Sequence, residues 1–163
     1  MISAPSVKAT GEVAVGMGQS LFAREPARLT TILGSCVAVT LYSPRRRLGM
    51  LSHVVLPQSK GNASNPAKFA DTAVPHMLST LKSQGVEPRE LTAKLVGGAC
   101  MFGNGMCAQI GESNIQAVDQ ALEAAGIRIV GRVVNGTSGR RICFDLATGC
   151  ITVTSVGHPA QTI

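Results

Sequence analysis

Two apolar runs close together in the chain restrict its architecture more than any other feature. Cys36-Val-Ala-Val-Thr-Leu-Tyr42 is a β-branched run of strand length, and residues 48–56 form a second one that Pro57 ends. Between them, Ser43-Pro44 and the cluster Arg45, Arg46 and Arg47 read as a solvated turn. The expectation is a buried β-hairpin with His53 inside its second strand.

The flanking segments supply the layers such a hairpin needs. Val13, Val15 and Met17 alternate with small or polar residues, which predicts a first strand after a loose tail over residues 1–10. Ser64 or Asn65 is placed to cap a helix with Pro66 in its first turn. Its apolar face runs through Phe69, Ala70, Ala73, Val74, Met77, Leu78 and Leu81, and Pro75 is expected to kink or divide it. Residues 92–96 predict a strand opening into a glycine-rich loop over 97–105, which is no P-loop because no Lys-Ser or Lys-Thr follows the glycines. Ser113 and Gln116 have the spacing of a capping box, predicting a second helix from there to Gly126. Three short strands over 127–134, 140–146 and 150–156, separated by Asn135-Gly136 and Thr148-Gly149, predict an antiparallel meander. The fold class is α/β (α+β): one layered sandwich domain over residues 1–163, with a mixed β-sheet and two main helices.

Composition narrows the function by exclusion. With 163 residues, 45% hydrophobic and 15% charged, the chain has the length of one domain and enough apolar content to exclude disorder. No window approaches the roughly 18–20 consecutive apolar residues of a membrane span, and Ser3, Pro5 and Lys8 interrupt any signal-peptide core. A soluble, cytoplasmic protein without membrane insertion is expected. The net charge of +6 comes with 3% aromatic residues, too few for base-stacking platforms, so nucleic acid is disfavoured. Solvated turns account for the basic clusters, with an acidic protein partner as the second reading. Cys36, Cys100, Cys107, Cys143 and Cys150 are odd in number and form no C-x-x-C pair, which favours reduced thiols over disulfides or a zinc site.

One pairing stands out chemically. Cys36 follows Leu33-Gly-Ser35, a turn whose glycine lets a substrate approach the backbone, and a hairpin turning at Arg45–Arg47 brings His53 towards it. A thiol near pKa ~8.5 is mostly protonated at neutral pH, so it needs a base to become a nucleophile. Imidazole can take that proton and return it to a departing amine. Thr30 or Thr31 could orient the ring; in a fully extended segment Thr30 shares the parity of Cys36. A cysteine and a histidine in apolar strands are equally the signature of ordinary packing, and spacing alone leaves both readings open.

Five ordered motifs add to this. Leu33-Gly-Ser-Cys-Val-Ala-Val39, Gly49-Met-Leu-Ser-His-Val-Val-Leu-Pro57, Lys68-Phe-Ala-Asp-Thr-Ala-Val74, Gly97-Gly-Ala-x-Met-Phe102 and Ile110-Gly-Glu-x-Asn114 resemble the chemoreceptor glutamine deamidase CheD family over nearly the whole chain. The resemblance implies a Cys-His-Thr site in a layered α/β fold shared with certain deamidating bacterial toxins. The nucleophile falls on Cys36, the base on His53 and the threonine on Thr30, with Thr31 beside it as the alternative. It further implies hydrolysis of selected glutamine side chains on methyl-accepting chemotaxis receptors to glutamate and ammonia, through a thioester, with no metal or organic cofactor. Backbone N–H groups near residues 34–36 are expected to hold the oxyanion. A CheC-type phosphatase is implied as a partner. Three other functions stay open: a non-catalytic regulatory partner of such a phosphatase, a glutamyl methyl esterase on receptors, and a cysteine redox sensor. Pro75-His76, Cys100 and Cys107 depart from the family pattern.

Overall fold

The computed structural model describes residues 6–7, 11–62, 64–103 and 105–163. The expected hairpin is its centre. Strands β5 (Val37–Ser43) and β6 (Leu48–Val54) pair antiparallel, Val37 opposite Val54 and Ser43 opposite Leu48, and every residue of both is buried. Burial on both faces is why these segments read as continuous apolar runs rather than alternating ones.

Around that hairpin run β1 (Ser6–Val7), β2 (Glu12–Ala14), β3 (Ser20–Arg24), β4 (Arg28–Leu33), β7 (Thr92–Gly97), β8 (Arg128–Val134), β9 (Arg140–Asp145), β10 (Ile151–Ser155) and β11 (His158–Thr162). They form two mixed sheets, ordered β1-β3-β6-β5-β7-β8 and β11-β10-β9-β4-β2. Helices α1 (Ala70–Ser83) and α2 (Gly105–Ala124) cover the outer face of the first sheet. The result is an α+β sandwich of three layers: helices, six strands, five strands.

Each interface has its own core. Val39, Leu41, Met50 and Val54 meet Val74, Met77 and Leu81 of α1 and Val118 and Leu122 of α2. On the opposite face, Ala38, Leu51 and Val96 meet Leu29, Leu33, Ile142, Phe144 and Val153 of the second sheet. Full burial of such side chains is worth about 1.5–3 kcal/mol each against exposure. Tyr42 ties the layers together: its hydroxyl donates to the Leu146 carbonyl at 3.0 Å, and its ring meets Phe144 edge-on at 5.8 Å.

Several expectations need correction. Pro75 does not divide its helix, since α1 runs unbroken through it; Pro75 is exposed in the second turn, where the missing N–H leaves only the Asp71 carbonyl without its helical donor. Pro66–Lys68 forms a separate 3-10 turn, ended by extended Phe69, which is the residue that precedes α1. Helix α2 begins at Gly105, so Ser113 and Gln116 lie in its interior and make no cap. β8 leaves the expected meander and pairs parallel with β7 in the first sheet; only β9, β10 and β11 form the antiparallel run. Of the expected N-terminal tail, Ser6–Val7 pair with β3 and the rest lies outside the described residues.

The basic clusters behave as solvated or internally paired groups. Residues 44–47 form the hairpin turn, where Arg46 pairs with Glu90 and Arg47 with Glu25, each at 3.1 Å. Arg140 donates to the carbonyls of Gly97 and Asn135, and Arg141 reaches Glu12 at 2.9 Å.

Candidate active site

Cys36 sits in the bend at 34–36 that links β4 to β5, one residue before the strand begins. Its backbone is held by the segment after β7. Gly98 N–H donates to the Cys36 carbonyl and Ala99 N–H to the Gly34 carbonyl, both at 2.9 Å. Gly97 is required for this contact. Its φ is 121°, and a Cβ there would lie 2.2 Å from the Cys36 carbonyl oxygen. The glycine pair of the loop is thereby explained as close backbone approach.

His53 lies opposite Ala38 in the β5–β6 ladder. Cys36 precedes Ala38 by one strand repeat and packs, half-buried, against the core between the sheets. Diagonal neighbours on adjacent strands project from the same face, so thiol and imidazole enter the same layer. His53 is clamped at its backbone by the turn after β2: Gly18 N–H donates to the His53 carbonyl, and His53 N–H to the Gln19 carbonyl.

The ring itself is nearly inaccessible, 3% exposed, and Nδ1 lies 2.8 Å from Thr31 Oγ1. Thr31 Oγ1 donates its own proton to the Val15 carbonyl at 2.7 Å. A hydroxyl has one proton to give, so towards Nδ1 it acts as acceptor, and Nδ1 carries the hydrogen. Nε2 is therefore the unprotonated nitrogen. It is buried and, among the described residues, makes no hydrogen bond to Cys36 or to any other group.

Electrostatics agree with a neutral pair. Burial pushes His53 below the ordinary imidazole range, partly offset by the Val15 carbonyl. Burial likewise pushes the Cys36 thiol up. No charged partner opposes either shift. Both shifts favour the neutral forms, thiol and imidazole.

The hydroxyl that orients the ring belongs to Thr31 rather than Thr30, correcting the parity argument. In β4, Leu29, Thr31 and Leu33 face the first sheet, while Arg28 and Ile32 are exposed on the other side with Thr30 in register between them. The bend at 34–36 breaks the alternation, so parity does not carry from Thr30 to Cys36. Thr30 is still close by, because both threonines line a cleft of about 440 Å³ with Val15, His53 and Arg141. Cys36 is not among the residues lining it. At the cleft, Met17 (73% exposed) and Ile32 (74%) present apolar side chains to solvent; Met101 lines a neighbouring cleft that shares Ile32, and its sulfur lies 3.0 Å from where a Gly34 Cβ would stand.

Sequence reasoning missed two contributors. The Val15 carbonyl leaves no side-chain signal. Asn114 of α2 is fully buried and donates from Nδ2 to the carbonyls of Val55 at 3.0 Å and Ser35 at 3.4 Å; its signal is an amide on the buried face formed by Gly111, Ile115, Val118 and Leu122. Among the described residues, no group of three His, Cys, Asp or Glu side chains is arranged to hold a metal ion. No described helix is long and apolar enough to cross a membrane.

Comparison with known proteins follows the same lines. Residues 55–155 match the family described as CheD, chemotactic sensory transduction. A Desulforamulus reducens protein named "Probable chemoreceptor glutamine deamidase CheD" is 41% identical over 162 residues, covering 96% of this chain and 98% of its own. Proteins of the same name from Clostridium botulinum and Methanococcus maripaludis are each 40% identical; they cover 90% and 85% of this chain and 94% and 92% of their own lengths.

Proposed function

The chain belongs to the CheD family, and from that premise we propose that it is a protein-glutamine deamidase. Its substrates are glutamine side chains of methyl-accepting chemotaxis receptors, and the chemistry runs through Cys36 and His53. One observation carries the reading: a buried imidazole with its proton fixed at Nδ1 and its Nε2 unpartnered, on the strand beside Cys36. A histidine serving only the core would have both nitrogens satisfied.

The reaction follows from those protonation states. As the substrate carboxamide enters, Nε2 takes the thiol proton while Sγ attacks the carbonyl carbon, forming the C–S bond and a tetrahedral oxyanion. The N–H groups at 34–36 lie outside the strand ladders, and to them we assign the stabilisation of that oxygen. Collapse breaks the C–N bond, and the proton on Nε2 goes to the leaving nitrogen, which departs as ammonia. Water, deprotonated by the same Nε2, then attacks the thioester, releasing glutamate and restoring the thiol. Thr31 Oγ1 stabilises the ring in its cationic stage by accepting from Nδ1–H while it donates to the Val15 carbonyl.

A protein substrate fits the surroundings. Met17 and Ile32 stand exposed at the cleft, where a folded partner would cover them. The free thiol of Cys36 fits a reducing compartment, so we place the protein in the cytoplasm. A CheC-type phosphatase is the second partner to test, as a competitor for the same face. The assay is incubation with a receptor fragment while ammonia and methanol are followed. Ammonia release from unmethylated fragment supports the deamidase; methanol from methylated fragment without ammonia would replace it with an esterase.

A further inference from the structure

We propose that Asn114 is a positioning residue for catalysis, fastening the nucleophile turn and the histidine strand to one helix through a single carboxamide. This inference rests on the reading of Cys36 and His53 as the reacting pair. Asn114 is 0% exposed and so cannot touch substrate. Its two Nδ2 protons go to two different segments: the Ser35 carbonyl, whose peptide bond leads directly into Cys36, and the Val55 carbonyl, just beyond the strand that carries His53. No other described side chain bonds to both segments.

Packing alone does not account for an amide at this place. Oδ1 of Asn114 is buried without a partner among the described residues, and an apolar side chain of the same shape would bury no orphan acceptor. The opposite amide orientation would aim Oδ1 at two carbonyl oxygens, so the pair of donors is the functional end. The helix is brought close enough by Gly111, where a Cβ would lie 2.6 Å from the Gly98 carbonyl oxygen. Gly98 in turn donates to the Cys36 carbonyl. Helix α2 thus reaches the nucleophile by two routes, one through Asn114 and Ser35 and one through Gly98.

Since Nε2 and the thiol are not hydrogen-bonded at rest, the reaction depends on how closely these two segments are held. Displacement of a reacting group by about 1 Å can cost on the order of 100-fold in rate. Asn114→Leu removes both donors while keeping the branched shape of the side chain. Expected is a fall in kcat of roughly 10–100-fold with KM little changed, and partial recovery in Asn114→Gln. Val118→Ala, a cavity in the same helix away from the site, is expected to lower the melting temperature while leaving kcat within about twofold.

A second readout needs no receptor: the iodoacetamide alkylation rate of Cys36 at neutral pH, followed by peptide mass. Asn114→Leu is expected to slow it as His53→Ala does, and the double variant to add little to either. An Asn114→Leu alkylation rate within twofold of the parent, or losses that multiply in the double variant, would overturn the proposal. So would equal kcat losses in Val118→Ala and Asn114→Leu. If the parent chain releases no ammonia, the deamidase reading fails, while the alkylation cycle still decides whether Asn114 aligns Cys36 with His53.

Discussion

Thr31 Oγ1 stands 2.8 Å from His53 Nδ1 while giving its own proton to the Val15 carbonyl, which makes the threonine an acceptor and leaves Nε2 as the unprotonated nitrogen. The bond crosses from the second sheet to the first. The same layer that packs the sandwich therefore sets the tautomer of the reacting group.

Thr31→Ala and Thr31→Val should each lower kcat by about tenfold, the effect of losing one orienting hydrogen bond of about 1.4 kcal/mol. Thr30→Ala should stay within about threefold of the parent, because the hydrogen bond to the ring comes from Thr31. Steady-state kinetics on receptor fragment checks this; greater damage from Thr30→Ala would return the role to that residue.

The pH profile follows from the two burial shifts. Catalysis needs neutral His53, whose pKa lies below the ordinary imidazole value, so the acid limb of kcat/KM should fall below pH ~6.5. The thiol is shifted the other way, so alkylation of Cys36 in the free protein should rise through a pKa above the usual ~8.5. An alkylation pKa below neutrality would show a preformed thiolate and contradict the neutral pair. Stability is linked with the same sign. The unfolded chain protonates His53 at higher pH than the folded one, so this contribution is present above the ordinary imidazole value and lost as pH falls towards the folded pKa.

Gly97→Ala should destabilise the fold by roughly 2–4 kcal/mol and abolish most activity, since it forces a side chain onto a φ of 121° and against the Cys36 carbonyl. Denaturant unfolding measures the first and the receptor assay the second. A stable, active Gly97→Ala would mean that the loop after β7 does not support the nucleophile turn.

Pro75→Ala should stabilise the protein by about 1–3 kcal/mol, restoring a donor to the Asp71 carbonyl in an exposed part of α1. Activity should be unaffected. A lower melting temperature would show that the proline supports the helix in a way its exposure does not suggest.

What could be read from the sequence was what neighbouring residues determine. The hairpin of β5 and β6 was legible because burial on both faces leaves unbroken apolar runs, and the bend between Leu33 and Val37 was legible from Gly34. The parallel pairing of β8 with β7 was not, because it joins strands separated by a whole helix. Ser113 and Gln116 have cap spacing but stand inside α2, where tertiary packing against Gly98 overrides the local signal. At the site, the motifs located Cys36 and His53. The choice between two adjacent threonines depended on which face of β4 meets the other sheet, and the part played by Asn114 on where α2 lands. Neither fact is written in spacing.

Covalent catalysis by Cys36 is tested most directly by the mass of a receptor fragment after incubation with the parent chain, Cys36→Ala or His53→Ala. An NH2-to-OH mass change at glutamine, with release of ammonia, is expected for the parent and neither for the two variants. Undiminished conversion by Cys36→Ala would contradict it.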